Sequence, residues 1–435
     1  MQRVGQSVLK RFQLDQQGTT VQRELQAGLV TFMAMAYIVV VNPSLLSQTG
    51  MDYGAVFVAT CVAAALGSLA MGWLANYPVA LAPGMGQNAF FTFAVVLGEG
   101  HRFETALGAV FLSGVIFIML SVLPLRAWLI NAIPRSLKLG IAAGIGLFIG
   151  FISLRNASIV VDDPATLVTS GTLLSAGPML AILGFALIVA LAARGLAAAV
   201  LLGMLAMTML GWVTGTAEFK GVVALPPDPT PLFLALDIQS ALSLSMLTTI
   251  LTLLLVDVFD TAGTLVAVAE RSGLVRPDGS LPRLKAALLA DSSATAIGAL
   301  LGTSSTTSFI ESGAGVAAGG RTGLTAVTVG LLFLACLFLA PLAQSVPPFA
   351  TAAALLFVAC LMARGLADLP WDDLTEAAPA VVTALAMPLF FSVADGIGIG
   401  FIVYALVKLI SGRFREAPAA VWLIAAIFGL KFAFL

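Results

Sequence analysis

Fourteen apolar stretches, most of them near the roughly 20 residues that cross a bilayer as a helix, follow one another with few long polar joins. They cover 24–41, 53–75, 83–98, 104–124, 137–154, 175–193, 195–213, 241–269, 286–301, 304–319, 323–344, 348–363, 376–392 and 396–411. They are called segments 1 to 14 below. A fifteenth apolar run, 418–434, reads as an interfacial helix in a C-terminal tail. Such a chain belongs in lipid: 60% of its 435 residues are hydrophobic and 10% are charged, whereas soluble domains carry about 25% charged residues. The apolar runs are continuous and do not alternate, which argues for helices and against a barrel of strands. The expected fold class is therefore an all-α polytopic membrane protein with 14 transmembrane segments. Segments 3 and 10 are short and broken by glycine, so neither is expected to be a plain helix.

The basic residues orient the chain. With the N-terminus in the cytoplasm, seventeen of the 21 Lys and Arg fall on the cytoplasmic side, Arg3, Lys10, Arg126, Arg321 and Lys408 among them. Arg102, Arg155 and Lys220 fall on the other side, and Lys431 is left unassigned. That bias is the positive-inside pattern, which a wrong segment count in mid-chain would scramble. The polar N-terminus lacks a cleavable signal pattern, so the first segment is expected to insert itself. A net charge of −1 suggests no nucleic acid or other polyanion as partner. Cys61, Cys336 and Cys360 lie far apart in apolar sequence and read as free packing residues, with neither disulfide nor metal spacing.

Two long loops, 155–174 and 214–240, fall on the outer side. The second contains Pro226–Pro231, an extended linker that divides the chain into halves of seven segments. Three pairs of features repeat between the halves at offsets of about 220, 213 and 217 residues. Pro83 matches Thr303, the stretch 131–148 matches 344–361, and Val41-Asn42-Pro43 falls opposite the polar centre of segment 8 near Asp260. Seven is odd, so two such halves lie in the membrane with opposite orientation. Interrupted segments at matching positions of inverted halves point to a transporter's binding site.

The polar residues at membrane depth carry the chemistry. Gly302–Gly323 opens with five hydroxyl residues, Thr303 to Thr307, and places Glu311 beside Ser312 among glycines and alanines. A carboxylate at that depth costs about 2.5–3.5 kcal/mol on insertion scales, so it reads as functional. Segment 8 carries Asp257 and Asp260 three residues apart, on one helix face, with Thr261 and Thr264 nearby. Burial and like charge disfavour ionising both acids together, so one of them can carry a proton. Segment 3 reads Pro83-Gly84-Met85-Gly86-Gln87-Asn88: a break, then two amides, then a restart whose N-terminal dipole faces the cavity. Asn88 offers donors and an acceptor, and Phe90 or Phe91 could stack on a flat ring or simply pack. Thr306, Thr307 and Ser308 could bind cargo or satisfy neighbouring backbone.

Other polar residues carry blander readings. Arg321, in the Gly319–Gly323 turn, reads as a topology anchor. Asp395 reads either as a helix cap or as a transport residue, Asp291 as a cap or a core contact, and His101 as solvated. Asp372, Asp373 and Glu376 sit beside Trp371 in an interfacial stretch. The site thus holds acids, an amide, hydroxyls and aromatic faces, with no Lys or Arg read at membrane depth. That set suits a small, flat, neutral molecule rich in N–H donors and does not suit an anion.

The stretches ANYPVALAPGMGQNAFF, VDVFDTAGTL and GTSSTTSFIESGAGVAAGGRTGLTAV resemble the signatures of the nucleobase–cation symporter-2 group, in particular its branch of guanine, hypoxanthine and adenine permeases. The likeness extends to ELQAGLVTFMAMAYIVVVNPSLL and NAIPRSLKLGIAAGIGLF and so covers nearly the whole chain. It implies 7+7 inverted repeats, with segments 1–4 and 8–11 forming a core and segments 5–7 and 12–14 a gate. The corresponding divisions are an N-terminal cytoplasmic tail (1–23), core (24–125 and 241–345), gate (126–240 and 346–412) and C-terminal tail (413–435). It implies proton-coupled uptake without a cofactor, a purine base as substrate and a homodimer joined through the gates. Carried over by motif, the segment 8 acid is Asp260, which precedes Ala-Gly after one Thr, with Asp257 an added acid of this branch, and the segment 10 acid is Glu311. Gln87 departs from the smaller or aliphatic residue commoner there, which bears on selectivity.

The resulting expectation is a purine–proton symporter of a bacterial inner (plasma) membrane, multi-pass, working by alternating access. Asn88, Phe90, Asp257, Thr307, Glu311 and Ser312 would contact the base, and Asp260 or Glu311 would couple the proton. Gln87, Thr261 and Asp395 stand as secondary candidates. Rivals on the same fold are a uracil or xanthine carrier and an anion exchanger. A passive channel or an intramembrane enzyme is a further rival, though the lone histidine, His101, leaves no Ser–His pair or His-rich metal motif.

Overall fold

The computed structural model describes residues 11–122, 133–276 and 280–434. Arg3, Lys10 and Arg126 of the basic set, most of the N-terminal tail's first half and the Asn131-Ala132 start of one repeat pair lie outside the described residues. Among the described residues, ten helical runs are long and apolar enough to cross a membrane: Val21–Thr49, Tyr53–Ala75, Phe103–Val122, Arg135–Asn156, Ala176–Ala193, Leu244–Ser272, Leu284–Leu301, Gly323–Gln344, Pro348–Asp368 and Val393–Ile410. They are segments 1, 2, 4, 5, 6, 8, 9, 11, 12 and 14. Segments 7 (Ala199–Val213) and 13 (Leu374–Phe390) are shorter apolar helices. Segments 3 and 10 complete the fourteen and are the exceptions to helix.

Each exception has an extended strand where a helix would otherwise run. Strand β1 (Leu81–Pro83) in segment 3 pairs antiparallel with β4 (Thr306–Ser308) in segment 10, in the register Leu81↔Ser308, Ala82↔Thr307 and Pro83↔Thr306. Unpaired backbone in lipid costs several kcal/mol per group, so each break is stable only because the other answers it. Beyond the ladder, Gly84 N–H donates to Ser305 O (2.9 Å) and Phe309 N–H to Ala80 O (2.9 Å). Two hydroxyls finish the pairing: Ser312 Oγ accepts from Ala80 N–H (3.0 Å), and Ser68 Oγ both accepts from Leu81 N–H (2.9 Å) and donates to Leu81 O (3.1 Å). From the strands the chain restarts as Met85–Ala89, which continues in wide turns to Val96, and as the short helix Ser312–Ala317. Pro83, which has no N–H and cannot continue a helix ladder, marks the start of one break.

The structure is not purely helical elsewhere either. In the 155–174 loop, β2 (Val160–Asp163) and β3 (Leu167–Ser170) form a hairpin. Asp163 closes it, accepting from the N–H groups of Ala165 and Thr166, both at 2.8 Å. In the proline-rich 214–240 loop, residues 223–229 run without helix or turn before a turn over 230–234, and backbone bonds from Ala224 to Phe338 and from Leu234 to Leu300 tack the loop down.

Close packing ties segment 11 to segment 2. A Cβ on Gly323 would lie 2.0 Å from the carbonyl oxygen of Gly72, so only glycine fits there. Gly323 N–H caps onto Asn76 Oδ1 at 2.7 Å. Nearby, the buried Glu24 accepts from Arg321 N–H (2.9 Å), Thr322 N–H (3.2 Å) and the Thr325 hydroxyl (2.6 Å). Arg321 in turn donates to the carbonyls of Val316 (2.7 Å) and Gly320 (2.8 Å) at the end of the short segment 10 helix. The side chain read as a topology anchor therefore also terminates that helix. Glu376, read as interfacial, accepts from Ser136 (2.5 Å) and Tyr404 (2.7 Å) and pairs with the buried Lys408 at 2.8 Å, joining segments 5, 13 and 14.

The last apolar run forms the helix Ala419–Phe434. It lies lengthwise against segment 14, with Phe428 filling the space a Cβ on Gly398 would need and Lys431 reaching Asp395 near the start of that segment. This placement differs from the interfacial helix expected. Its apolar side has a groove along segment 14 to fill, and Val421, Ile424 and Phe428 are buried there.

Candidate functional site

Where the two strands meet, side chains from segments 3, 8, 9 and 10 form one buried polar network. Asp257 accepts from Gln87 Nε2 (3.1 Å) on one oxygen and from the Thr295 hydroxyl (2.9 Å) on the other. Thr295 also lies 2.9 Å from the Thr306 carbonyl, linking segment 9 to the strand. Asp291 accepts from Thr261 (2.6 Å) and Ser308 (2.7 Å). Thr261 and Thr307 share a further hydrogen bond at 2.9 Å. Ser304 donates to Asn88 Oδ1. On segment 1, Asn42 donates to Thr60 (2.7 Å) and to Thr303 (2.8 Å), which ties that segment to the opening of segment 10.

Several polar atoms at the break have no protein partner although they are buried: Gln87 Oε1, Asn88 Nδ2, Ser305 Oγ and Thr306 Oγ1. Buried polar groups are nearly always bonded, so a cluster of exceptions calls for an explanation. Together they offer an acceptor, an amide donor and two hydroxyls, the mix of polarities that a flat heterocycle with mixed edges needs. Glu311 stands at the start of the segment 10 helix and accepts from Tyr37 of segment 1 at 2.7 Å.

A cavity of about 710 Å³ approaches this network from the side of the Lys- and Arg-rich loops. Asp260, Phe259 and Gly263 of segment 8, Lys138 of segment 5 and Glu270 are among its lining residues. Asp257 is 1% exposed and Gln87 covers it, whereas Asp260 opens on the cavity. The two acids of segment 8 thus differ in access, although they lie on one helix face. Lys138 places its ammonium 5.5 Å from the centroid of the Phe259 ring. Lys138, the second residue of segment 5 and read from the sequence as cytoplasmic, thus brings a cation to the cavity that Asp260 lines. Arg135 and Asp368 line the mouth as well, so two cations face three carboxylates.

The other expected site residues are placed as follows. The Phe90 ring is 2% exposed and belongs to the main apolar core, where it offers no open face. Ser312 and Thr307 are buried with their hydroxyls engaged by Ala80 and Thr261, so they hold the strands together. Thr261 serves Asp291. The Asp395 carboxylate is engaged elsewhere, pairing with Lys431 at 2.9 Å. Asp291 and Thr295 of segment 9, and Tyr37 of segment 1, escaped the sequence reading as members of the network. Asp291-Ser292-Ser293 carried a signal, since an acid in an apolar run is rarely idle, but nothing in one sequence showed that segment 9 faces segment 10.

Residues 22–399 match the model of the Permease family. The chain is 46% identical over 432 residues to the adenine permease AdeP of Escherichia coli, covering 99% of this chain and 97% of that protein. It is 44% identical over 428 residues to the guanine/hypoxanthine permease PbuO of Bacillus subtilis, covering 97% and 99%. Among solved structures, the transmembrane domain of the cyanobacterial bicarbonate transporter BicA superposes with a TM-score of 0.66 at 14% identity, covering 86% of this chain and 97% of that one. SLC26A9 superposes with a TM-score of 0.64 at 12% identity, covering 94% of this chain and 69% of that one. At such identities the two structures speak to the fold alone: fourteen segments arranged as 7+7 inverted repeats.

Proposed function

The chain belongs to the Permease family, and we propose that it takes up purine nucleobases (guanine, hypoxanthine or adenine) by proton-coupled alternating access. It is a multi-pass membrane transporter and not an enzyme. The observation that carries the substrate class is the set of unpartnered buried atoms at Gln87, Asn88, Ser305 and Thr306 at the two breaks, together with the Glu311 carboxyl group on segment 10. A purine edge alternates ring-nitrogen acceptors with N–H donors. Asn88 Nδ2 donates to the former, Gln87 Oε1 and the Glu311 carboxylate accept from the latter, and the hydroxyls do either. The names of the similar permeases in Escherichia coli and Bacillus subtilis support the same class.

Segments 1–4 and 8–11 act as the core and segments 5–7 and 12–14 as the gate, and the two rock about the site. In the present arrangement the cavity between segments 5 and 8 leads to Asp260. That access supports Asp260 as the carboxyl group that gains and loses the coupling proton. Asp257, sealed by Gln87 and Thr295, then fixes the amide that meets the base. The N-terminus lies in the cytoplasm of a bacterial-type inner membrane, and two copies pair through their gates.

The test is uptake of radiolabelled hypoxanthine or adenine by a strain lacking its own permeases. Uptake is expected to stop with a protonophore and with Glu311→Ala. Undiminished uptake under either condition overturns the mechanism. Competition by unlabelled uracil stronger than by guanine, hypoxanthine or adenine overturns the substrate class, and stronger competition by xanthine overturns the choice of these three purines.

A further inference from the structure

At the end of the molecule opposite the Asp260 cavity, one cation bridges two carboxylates carried by different parts of the chain. Lys431 of the terminal helix places Nζ 2.9 Å from Asp395 Oδ1 and 3.8 Å from Glu99 Oε1. Asp395 sits in the first turn of segment 14, where its N–H donates to the Ser392 hydroxyl at 3.1 Å. Glu99 lies in the turn after segment 3, where its N–H donates to Ala94 O at 2.8 Å, and its other oxygen is 3.6 Å from His101 Nε2. The trio thus joins three elements: the turn after segment 3, the start of segment 14 and the terminal helix.

An aromatic seal stands beside this trio. Phe391, in the left-handed region at φ 54°, ends segment 13. Its ring meets Phe93 of segment 3 edge-on at 6.1 Å, and Phe148 and Phe151 of segment 5 at 5.4 and 6.0 Å. Arg155 lies over the same ring at 5.7 Å. The terminal helix is docked firmly enough to hold its lysine in register, since Phe428 packs directly on Gly398 and is fully buried.

We propose that Lys431 is a latch, holding the turn after segment 3 to the start of segment 14 while the opposite end of the molecule is open. The charge balance gives its sign. With Lys431 in place, one positive charge offsets two negative ones. Without it, Glu99 and Asp395 lose the cation that joins them, and like charges favour separation. The three side chains are 17–28% exposed, which makes the bridge moderate in strength and reversible within a transport cycle. The terminal helix is thereby a working part of the transporter, with its role in the lysine near its end. This inference rests on the core-and-gate motion proposed above.

The test reads accessibility without transport. In a background with Cys61, Cys336 and Cys360 replaced by serine, Thr92→Cys supplies one thiol. Thr92 is buried on segment 3, next to Phe93 of the aromatic seal. Labelling by a membrane-impermeant maleimide is timed in intact cells and in inverted vesicles. Lys431→Gln is expected to speed labelling about threefold or more, on the scale of one moderate ion pair lost and one repulsion gained. Lys431→Asp combined with Asp395→Lys, which keeps the same charges in exchanged places, is expected to return the rate to that of the parent. Asp395→Asn, which cuts one arm of the bridge, serves if Lys431→Gln does not fold and is expected to speed labelling as well. Equal rates in all variants, or no recovery in the exchanged pair, overturn the latch. Faster labelling in inverted vesicles alone keeps the latch and overturns the proposed orientation, while absence of base uptake by the parent protein with the labelling pattern intact overturns only the substrate reading.

Discussion

Replacing Asp291 by asparagine and by alanine separates the hydrogen bonds of this carboxyl group from its mere presence. Its two oxygens accept from Thr261 at 2.6 Å and Ser308 at 2.7 Å, and the residue is fully buried. Asparagine keeps one acceptor oxygen, and its amide can donate to whichever hydroxyl turns to accept. Alanine removes both partners. Thr261 can then turn to Thr307, 2.9 Å away, so a single hydroxyl, that of Ser308, is stranded. A stranded buried hydroxyl costs about 1–3 kcal/mol, and the void left by the carboxyl group adds on the order of 1 kcal/mol. Alanine should therefore destabilise the protein by about 2–4 kcal/mol and asparagine by less than about 1 kcal/mol. At about 2–4 °C per kcal/mol for a chain of some size, the alanine variant should melt roughly 5–15 °C lower. The assay is the fraction surviving a heating series in detergent, read by size-exclusion chromatography. An asparagine variant as unstable as the alanine one would show that charge, and not hydrogen bonding, holds segment 9 to segment 10. An alanine variant with an unchanged midpoint would refute the network itself.

Gly323→Ala should lose about 1–3 kcal/mol or more, because its Cβ would meet backbone on both sides: Gly72 O at 2.0 Å and Asn76 Cα at 2.8 Å. Gly177→Ala, where nothing lies within 4 Å, is the matched control and should be neutral or slightly stabilising in the same melting assay. Tyr37→Phe leaves Glu311 without its 2.7 Å donor and should weaken base binding about 2- to 12-fold, the range of one hydrogen bond; an unchanged dissociation constant removes Tyr37 from the account.

Much of the fold could be read in advance because lipid restricts the choices. Continuous apolar runs at bilayer length must be helices, and Pro83, Gly84 and Gly86 mark one break as plainly as Gly302–Gly323 marks the other. What stayed hidden was register. Nothing in one sequence says that Leu81 faces Ser308, yet that pairing decides which hydroxyls serve the strands and which remain free. Hence Ser312 and Thr307 stood out as ligands for their chemistry but are spent on Ala80 and Thr261, while Asp291 read as a core contact although two site hydroxyls bind it. Phe90 shows the same limit, since an aromatic beside a break can stack or pack and only three-dimensional neighbours decide. Lys431 was unassignable because its partners, Asp395 and Glu99, lie 36 and more than 300 residues away in sequence. The terminal helix follows from that pairing, since a lysine near its end can reach the start of segment 14 only if the helix runs alongside it.

The account turns on a base held between segments 3, 8 and 10, and equilibrium binding to the purified protein tests it most directly. Adenine, hypoxanthine, guanine, uracil, xanthine and sulfate are each titrated against the intact chain and against Glu311→Ala, with the melting midpoint as readout. A ligand that binds only the folded state contributes about 2.7 kcal/mol of stability at 100 times its dissociation constant. The prediction is that at least one of adenine, hypoxanthine and guanine raises the midpoint of the intact chain by several degrees, and that Glu311→Ala abolishes the rise. A midpoint that no purine moves, or one that sulfate moves and purines do not, would contradict the claim that the paired breaks form a purine site.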